Sequence, residues 1–146
     1  MMIPNPELKQ KISDSYDACW MFGPCDLAFT AMEAAYTHGD AWVDQQLAYL
    51  EGNVETVNTF VAEHMPGVQV TKHEGTFLMW LDMTCFGKSS RELTSILAKE
   101  YGLALGDGSH YGTQAEGFMR LNIGCTRDTL IKGLEQMAVM YDKYVK

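Results

Sequence analysis

The sequence of 146 residues lacks an excess of basic side chains, and this shortage excludes two classes of partner. Its 11 Lys and Arg residues are outnumbered by 19 Asp and Glu residues, which gives a formal net charge of -8. A chain of this charge repels the phosphate backbone of nucleic acids and the headgroups of anionic lipids. We therefore expect neither a nucleic-acid partner nor a role at a membrane surface.

Long hydrophobic runs are missing as well. The longest uninterrupted apolar stretches, among them residues 77–81, have five residues, far fewer than the roughly 20 that a membrane-spanning helix requires. The first residues do not place a basic patch before an apolar segment, which is the pattern of a secretory signal. The sequence thus predicts a cytoplasmic protein without a membrane span.

Cysteine and histidine occur only four times each, and their spacing does not indicate a metal site. The cysteines are Cys19, Cys25, Cys85 and Cys125, which form no C-x-x-C pair. Because 47% of the residues are hydrophobic, the chain can bury a core without disulfide bridges. We expect reduced, mostly buried cysteines and no bound metal.

Apolar periodicity predicts four helices. A short helix over residues 27–37 has Asp26 as its expected N-cap. A longer one begins after Asp40, and its apolar positions recur every three or four residues until Pro66 and Gly67. These positions are Val43, Leu47, Leu50, Val54, Val57 and Val61.

The two remaining helices have clear N-terminal signals. Ser89 and Glu92 have the spacing of a capping box before a helix over residues 90–100. Thr126 can cap the last helix, whose apolar stripe continues to the end of the chain.

Strand patterns alternate with these helices. Residues 68–71 alternate as a short strand, and the apolar residues of 76–82 occupy both faces, which predicts a central strand covered on both sides. Residues 103–105 and 118–123 are the two remaining predicted strands. The predicted fold is an α+β two-layer domain, with a small, mostly antiparallel sheet backed by helices. Residues 1–25, which carry Pro4, Pro6, Gly23 and Pro24, are predicted to form an N-terminal arm.

The strand over residues 118–123 contains the most informative charged residue. Period two places Phe118, Arg120 and Asn122 on one face. A planar, permanently charged guanidinium on a rigid strand is suited to binding a carboxylate through two parallel hydrogen bonds. The alternative from spacing alone is a solvated sheet face on which Arg120 forms a surface ion pair.

Three stretches of the sequence resemble a known family. Residues 74–82 (EGTFLMWLD), 105–112 (LGDGSHYG) and 117–125 (GFMRLNIGC) closely resemble segments of the pyridoxal-phosphate-dependent C–S β-lyases. These are the cystathionine β-lyase and cystalysin branch of the fold-type I aminotransferases. Residues 3–8 (IPNPEL) and 33–36 (EAAY) also match, so the resemblance covers nearly the whole chain, but only the family's C-terminal part.

The resemblance implies a role for particular residues. Arg120 matches the arginine that binds the substrate α-carboxylate, and Asn122 is a weaker supporting candidate. Asp107, Gly108 and Ser109 lie in a loop that resembles the edge of the family's active site. The family's Schiff-base lysine would precede Met1, and no lysine in the chain lies in a matching context, so no catalytic residue is assigned here.

The leading hypothesis is therefore that residues 26–146 are the small C-terminal domain of a pyridoxal-phosphate enzyme, most closely a cystathionine β-lyase, or a related transaminase. The resemblance implies pyridoxal 5'-phosphate in the complete enzyme, none covalently bound to this chain, and a missing large domain as partner. The isolated chain is expected to be inactive and, through exposed apolar surface, to self-associate as a homo-oligomer. The alternative is a free-standing, non-catalytic α/β binding module.

Overall fold

The computed structural model describes residues 3–19 and 25–145. The chain divides into two compact units, Met1–Asp44 and Gln45–Lys146. The division into an arm of residues 1–25 and a domain of residues 26–146 stays a prediction, and Gly23 and Pro24, which contributed to it, lie outside the described residues.

Two helices form the first unit: α1 (Pro6–Ala18) and α2 (Asp26–His38). The Asn5 side chain caps α1 by accepting a hydrogen bond from the Leu8 backbone N–H at 3.0 Å. Asp26 was expected to cap α2, but this is wrong, because Cys25 has the extended backbone of an N-cap and Asp26 is the first helical residue. Neither helix has a buried residue among those described.

Helix α3 (Asp40–His64) follows the predicted apolar stripe only in part. Leu50, Val57 and Val61 are buried, whereas Val43 and Leu47 remain exposed. The periodicity therefore predicts the helix correctly, and the core begins almost three turns into it, at Leu50.

A four-stranded antiparallel sheet organises the second unit. Its strands are β1 (Gln69–Val70), β2 (Leu78–Asp82), β3 (Gly106–Asp107) and β4 (Phe118–Asn122). Their order is β1-β2-β4-β3, and every neighbouring pair is antiparallel. The predicted α+β class with an antiparallel sheet is confirmed, and β4 is an inner strand.

Two strand predictions are corrected. Residues 103–105 form no strand, because the Leu103 N–H donates to the carbonyl of Leu97 and so closes the preceding helix. Strand β2 is not covered equally on both faces: Met79 and Leu81 are buried, but Trp80 between them is only half-buried. The Trp80 face is the one that concerns the candidate site.

The last two helices have the predicted caps. Helix α4 (Ser90–Tyr101) begins with the capping box of Ser89 and Glu92, and it ends at Gly102, which has a left-handed φ of 66°. Helix α5 (Arg127–Tyr144) begins after Thr126, whose side chain accepts a hydrogen bond from the backbone N–H of Thr129.

The cysteines are mostly exposed, contrary to the prediction. Cys19, Cys25 and Cys85 are exposed, and Cys125 is half-buried. The reason is position, since Cys19 and Cys25 are end residues of helices and Cys85 lies in a short 3-10 turn, away from any apolar stripe. None of the helices over residues 3–19 and 25–145 is long and apolar enough to cross a membrane.

Candidate carboxylate site

Arg120 lies in the middle of β4, on a backbone held by hydrogen-bonded strands on both sides. Its register partners are Trp80 on β2 and Gly106 on β3. The side chain is half-buried. An inner strand restricts the backbone, so the direction in which the arginine leaves the sheet is fixed by the fold.

Gly106 leaves room for the arginine. A β-carbon built at position 106 would lie 3.1 Å from both Cβ and Nε of Arg120. Gly106 does not have a positive φ, so the backbone alone does not require glycine here. The missing side chain is what allows the arginine to extend across β3.

One aromatic ring contacts the far end of Arg120, and a second ring contacts the first. Its Cζ lies 5.2 Å from the centre of the Tyr111 ring, within the range of a cation–π contact. Trp80 meets the same tyrosine edge-on, with ring centres 5.2 Å apart and an interplanar angle of 87°. The guanidinium therefore lies against a braced ring.

Arg120 has no acidic partner among residues 3–19 and 25–145. The ion pairs in those ranges are His64 with Glu63, Lys72 with Glu74, and Lys143 with Glu100. The alternative of a surface ion pair thus has no carboxylate to supply it in this part of the chain. A guanidinium without an internal anion can bind one from solution.

A cavity of about 410 Å³ opens beside the guanidinium. Arg120, Trp80 and Tyr111 line it together with the segment that precedes β2. Within that segment, Nε2 of His73 is buried without a hydrogen-bond partner, and Thr76 has an unusual left-handed φ of 69°. The volume suits a small ligand.

The predicted loop residues lie near this cavity without lining it. The carboxylate of Asp107 accepts hydrogen bonds from the N–H and O–H of Ser109, at 2.8 and 2.7 Å. These bonds lower the pKa of Asp107, the side-chain bond contributing most. Gly108 is buried, and a β-carbon there would lie 2.4 Å from the carbonyl oxygens of Ala115 and Phe118. All three residues shape the turn that leads to Tyr111.

Asn122 is not brought to the cavity. It is exposed, and its side-chain oxygen accepts a hydrogen bond from the Gly124 N–H at 2.8 Å. Alternation along β4 places it on the arginine's face, but the strand ends at this residue. Its side chain instead stabilises the following turn.

Sequence reasoning missed three contributors: Gly106, Trp80 and Tyr111. The pairing of Gly106 with Arg120 could not be found because the short strand was placed three residues too early. Trp80 and Tyr111 lie inside the family-like stretches. Their neighbouring residues, however, do not show that Tyr111 contacts an arginine distant in the sequence. No cluster of three or more potential metal ligands occurs within residues 3–19 and 25–145.

Curated relatives are found over most of the chain, although no protein-family model matches it. Cystathionine β-lyase PatB of Bacillus subtilis is 36% identical over 137 residues, which are 94% of this chain and 35% of PatB. Protein MalY of Escherichia coli is 35% identical over 115 residues, covering 76% of this chain and 28% of MalY. The chain thus spans about a third of the length of the curated relatives it matches.

Solved structures share the fold. Cystalysin from Treponema denticola, which contains a pyridoxal 5'-phosphate cofactor, superposes with a TM-score of 0.83 at 22% identity, over 99% of this chain and 36% of its own. The pyridoxal-phosphate-bound C–S lyase from Staphylococcus hominis gives a TM-score of 0.80 at 23% identity, over 99% and 38%. At these identities, the two structures show the fold alone.

Proposed function

From the premise that this chain belongs to the family of pyridoxal-phosphate-dependent C–S β-lyases and aminotransferases, and matches its C-terminal part, we propose that it supplies the substrate carboxylate site of such an enzyme. Arg120 is the anchor in this proposal. The observation that carries it is an arginine on an inner strand, with no acidic partner among the described residues, beside a cavity of about 410 Å³.

The chemistry of the side chain suits the role. A guanidinium donates two parallel hydrogen bonds to a carboxylate and keeps its charge at any physiological pH. Because Arg120 extends from a strand paired on both sides, it can orient an amino acid as well as attract it. A lysine at the same place would offer a point charge without the two-pronged geometry.

The reaction proposed for the complete enzyme is elimination from a sulfur amino acid. Several relatives are named cystathionine β-lyase, including those of Bacillus subtilis and Corynebacterium glutamicum. Transamination is the second candidate, because a relative named as a probable N-acetyl-LL-diaminopimelate aminotransferase matches 49% of the chain at 35% identity. The carboxylate anchor would serve either reaction, so it does not decide between them.

The residues of this chain do not by themselves fit the cofactor. Lys72 is the lysine that lines the Arg120 cavity. Its side chain is 84% exposed and paired with Glu74. A lysine that forms a Schiff base is typically activated by desolvation, and the exposed Lys72 side chain is not desolvated. We therefore propose that this chain alone is inactive.

The remaining predicted site residues have supporting roles in this proposal. Asp107, Gly108 and Ser109 fix the turn that carries Tyr111 to the cavity. Asn122 orders the turn after β4, and it is proposed to act on the ligand only through the placement of that strand's end.

Titration of the isotope-labelled chain with propionate tests the anchor. Propionate is expected to shift the NMR signals of the Arg120 side chain, and Arg120→Gln is expected to abolish this binding. Arg91→Gln removes an exposed arginine from the same unit and serves as the matched control. Equal propionate binding by Arg120→Gln and the unaltered chain would overturn the proposal.

A further inference from the structure

We infer that Tyr111 is a positioning residue for Arg120, and that Trp80 braces it. This inference rests on the proposed function in that it deepens the role of the same site. Its basis is a chain of contacts: the Arg120 guanidinium against the Tyr111 ring, and the Tyr111 ring against the edge of Trp80, each at 5.2 Å.

The contact matters because no ion pair or hydrogen bond from the described residues restrains the charged end of Arg120. No described carboxylate pairs with the guanidinium, and the side chain passes over Gly106, which offers no side chain for it to pack against. An arginine has several rotatable bonds and loses considerable entropy when it is fixed. The face of the tyrosine ring is therefore the contact that selects one orientation before the ligand arrives.

The exposure and position of Tyr111 indicate that its ring positions Arg120 and contributes little to the stability of the fold. Its side chain is 55% exposed, so the ring contributes little to the core. It lies at the end of the 3-10 turn Gly108–Tyr111, which is fixed by the Asp107 cap and by the close approach of Gly108 to neighbouring carbonyls. The turn would keep its shape without the ring, because none of these contacts involves the phenol.

The sheet explains why Trp80 can brace the ring. Trp80 is the direct register partner of Arg120 across β2 and β4, so both side chains leave the sheet on the same face. Tyr111 reaches over from the turn and contacts both. The edge-on geometry presents the positive rim of one ring to the negative face of the other.

The test compares Tyr111→Leu with Tyr111→Phe, which keeps the aromatic face. The first readout is the chemical shift of the Arg120 δ protons without ligand, since these protons do not exchange with water and sense the ring current of Tyr111. We expect the shift to be retained in Tyr111→Phe and to move toward the random-coil value in Tyr111→Leu. Tyr36→Leu removes an exposed tyrosine ring elsewhere and is the matched control.

The second readout is the affinity for propionate. Loss of an exposed cation–π contact is expected to weaken binding roughly two- to fivefold in Tyr111→Leu and to leave Tyr111→Phe unchanged. An unchanged δ-proton shift in Tyr111→Leu, or equal affinities of the two variants while Arg120→Gln abolishes binding, would overturn the inference. If propionate binds without involving Arg120 but the δ-proton shift depends on the ring, the positioning role stands and the proposed function fails.

Discussion

Gly106 lies directly opposite Arg120 across the β3–β4 pair, and a β-carbon at residue 106 would come within 3.1 Å of the arginine's Nε. Because Gly106 has no side chain, the side chain of Arg120 can extend across β3. Gly106→Ala should push Arg120 away from its rotamer and weaken propionate binding roughly two- to tenfold, with little loss of stability. Calorimetric titration measures the effect.

Gly133→Ala is the matched control for that change. A β-carbon at Gly133, within α5, would meet Leu103 at an ordinary contact distance of 3.5 Å. It should raise helix stability by up to about 1 kcal/mol and leave propionate affinity unaltered. Gly106→Ala binding propionate as tightly as Gly133→Ala would show that Arg120 does not need the space.

Asn53 joins three segments of the second unit and should be a strong determinant of stability. This fully buried side chain donates to the carbonyls of Ile123 and Cys125 at 2.8 and 3.1 Å and accepts from Nε of Arg127. Asn53→Leu leaves those groups without partners, so we expect a loss of about 2–4 kcal/mol in the free energy of unfolding. Urea denaturation gives the value.

Asn58→Leu on the same helix is the control for Asn53→Leu, because Asn58 is exposed. It should change the free energy of unfolding by less than about 0.5 kcal/mol. A similar small loss in Asn53→Leu would mean that water satisfies the freed carbonyls.

The sequence predicted those elements whose signals are local. The capping box of Ser89 and Glu92, the Thr126 cap and the alternation of β4 all depend on neighbours within a few residues, and the structure has each of them. In these cases the chain's short-range chemistry and its fold agree.

The wrong or missing predictions concern features that depend on contacts between residues far apart in the sequence. Leu103 has strand propensity, but its N–H closes the end of α4, so the strand begins only at Gly106. Val43 belongs to the stripe of α3 by period and yet stays exposed, because periodicity shows which face is apolar and not what covers it. The contact of Tyr111 with Arg120 could not be predicted for the same reason.

Helix α2 should make the chain self-associate. Leu27, Phe29, Met32 and Tyr36 are all more than half exposed, and the helix buries none of its described residues. Large apolar side chains exposed to water favour association. Sedimentation velocity should show a mass that rises with concentration, and the double change Leu27→Gln and Tyr36→Gln should reduce it. Val139→Gln, on α5, is the control; a monomer at all concentrations would contradict the prediction.

The Asp107 cap should make the second unit less stable in acid. Hydrogen bonds from Ser109 hold the pKa of Asp107 below its ordinary value of 3.8 in the folded chain. Stability from this bond is therefore complete well above that value and is lost as the pH falls through and below it. Asp107→Asn should be less stable than the unaltered chain at pH 7, and the difference should shrink toward pH 3. A difference independent of pH would exclude the carboxylate's charge as its source.

Replacing Lys72 tests whether a lysine of this chain can form a catalytic Schiff base with pyridoxal phosphate. Lys72 lines the cavity of Arg120, but its side chain is 84% exposed and paired with Glu74. Such a lysine lacks the burial that typically activates a Schiff-base lysine. Mixing the chain with pyridoxal phosphate should therefore give no more lysine-linked absorbance than Lys72→Met does, and no thiol release from cystathionine. Thiol release that disappears in Lys72→Met but persists in Lys132→Met would mean that this chain carries its own catalytic lysine.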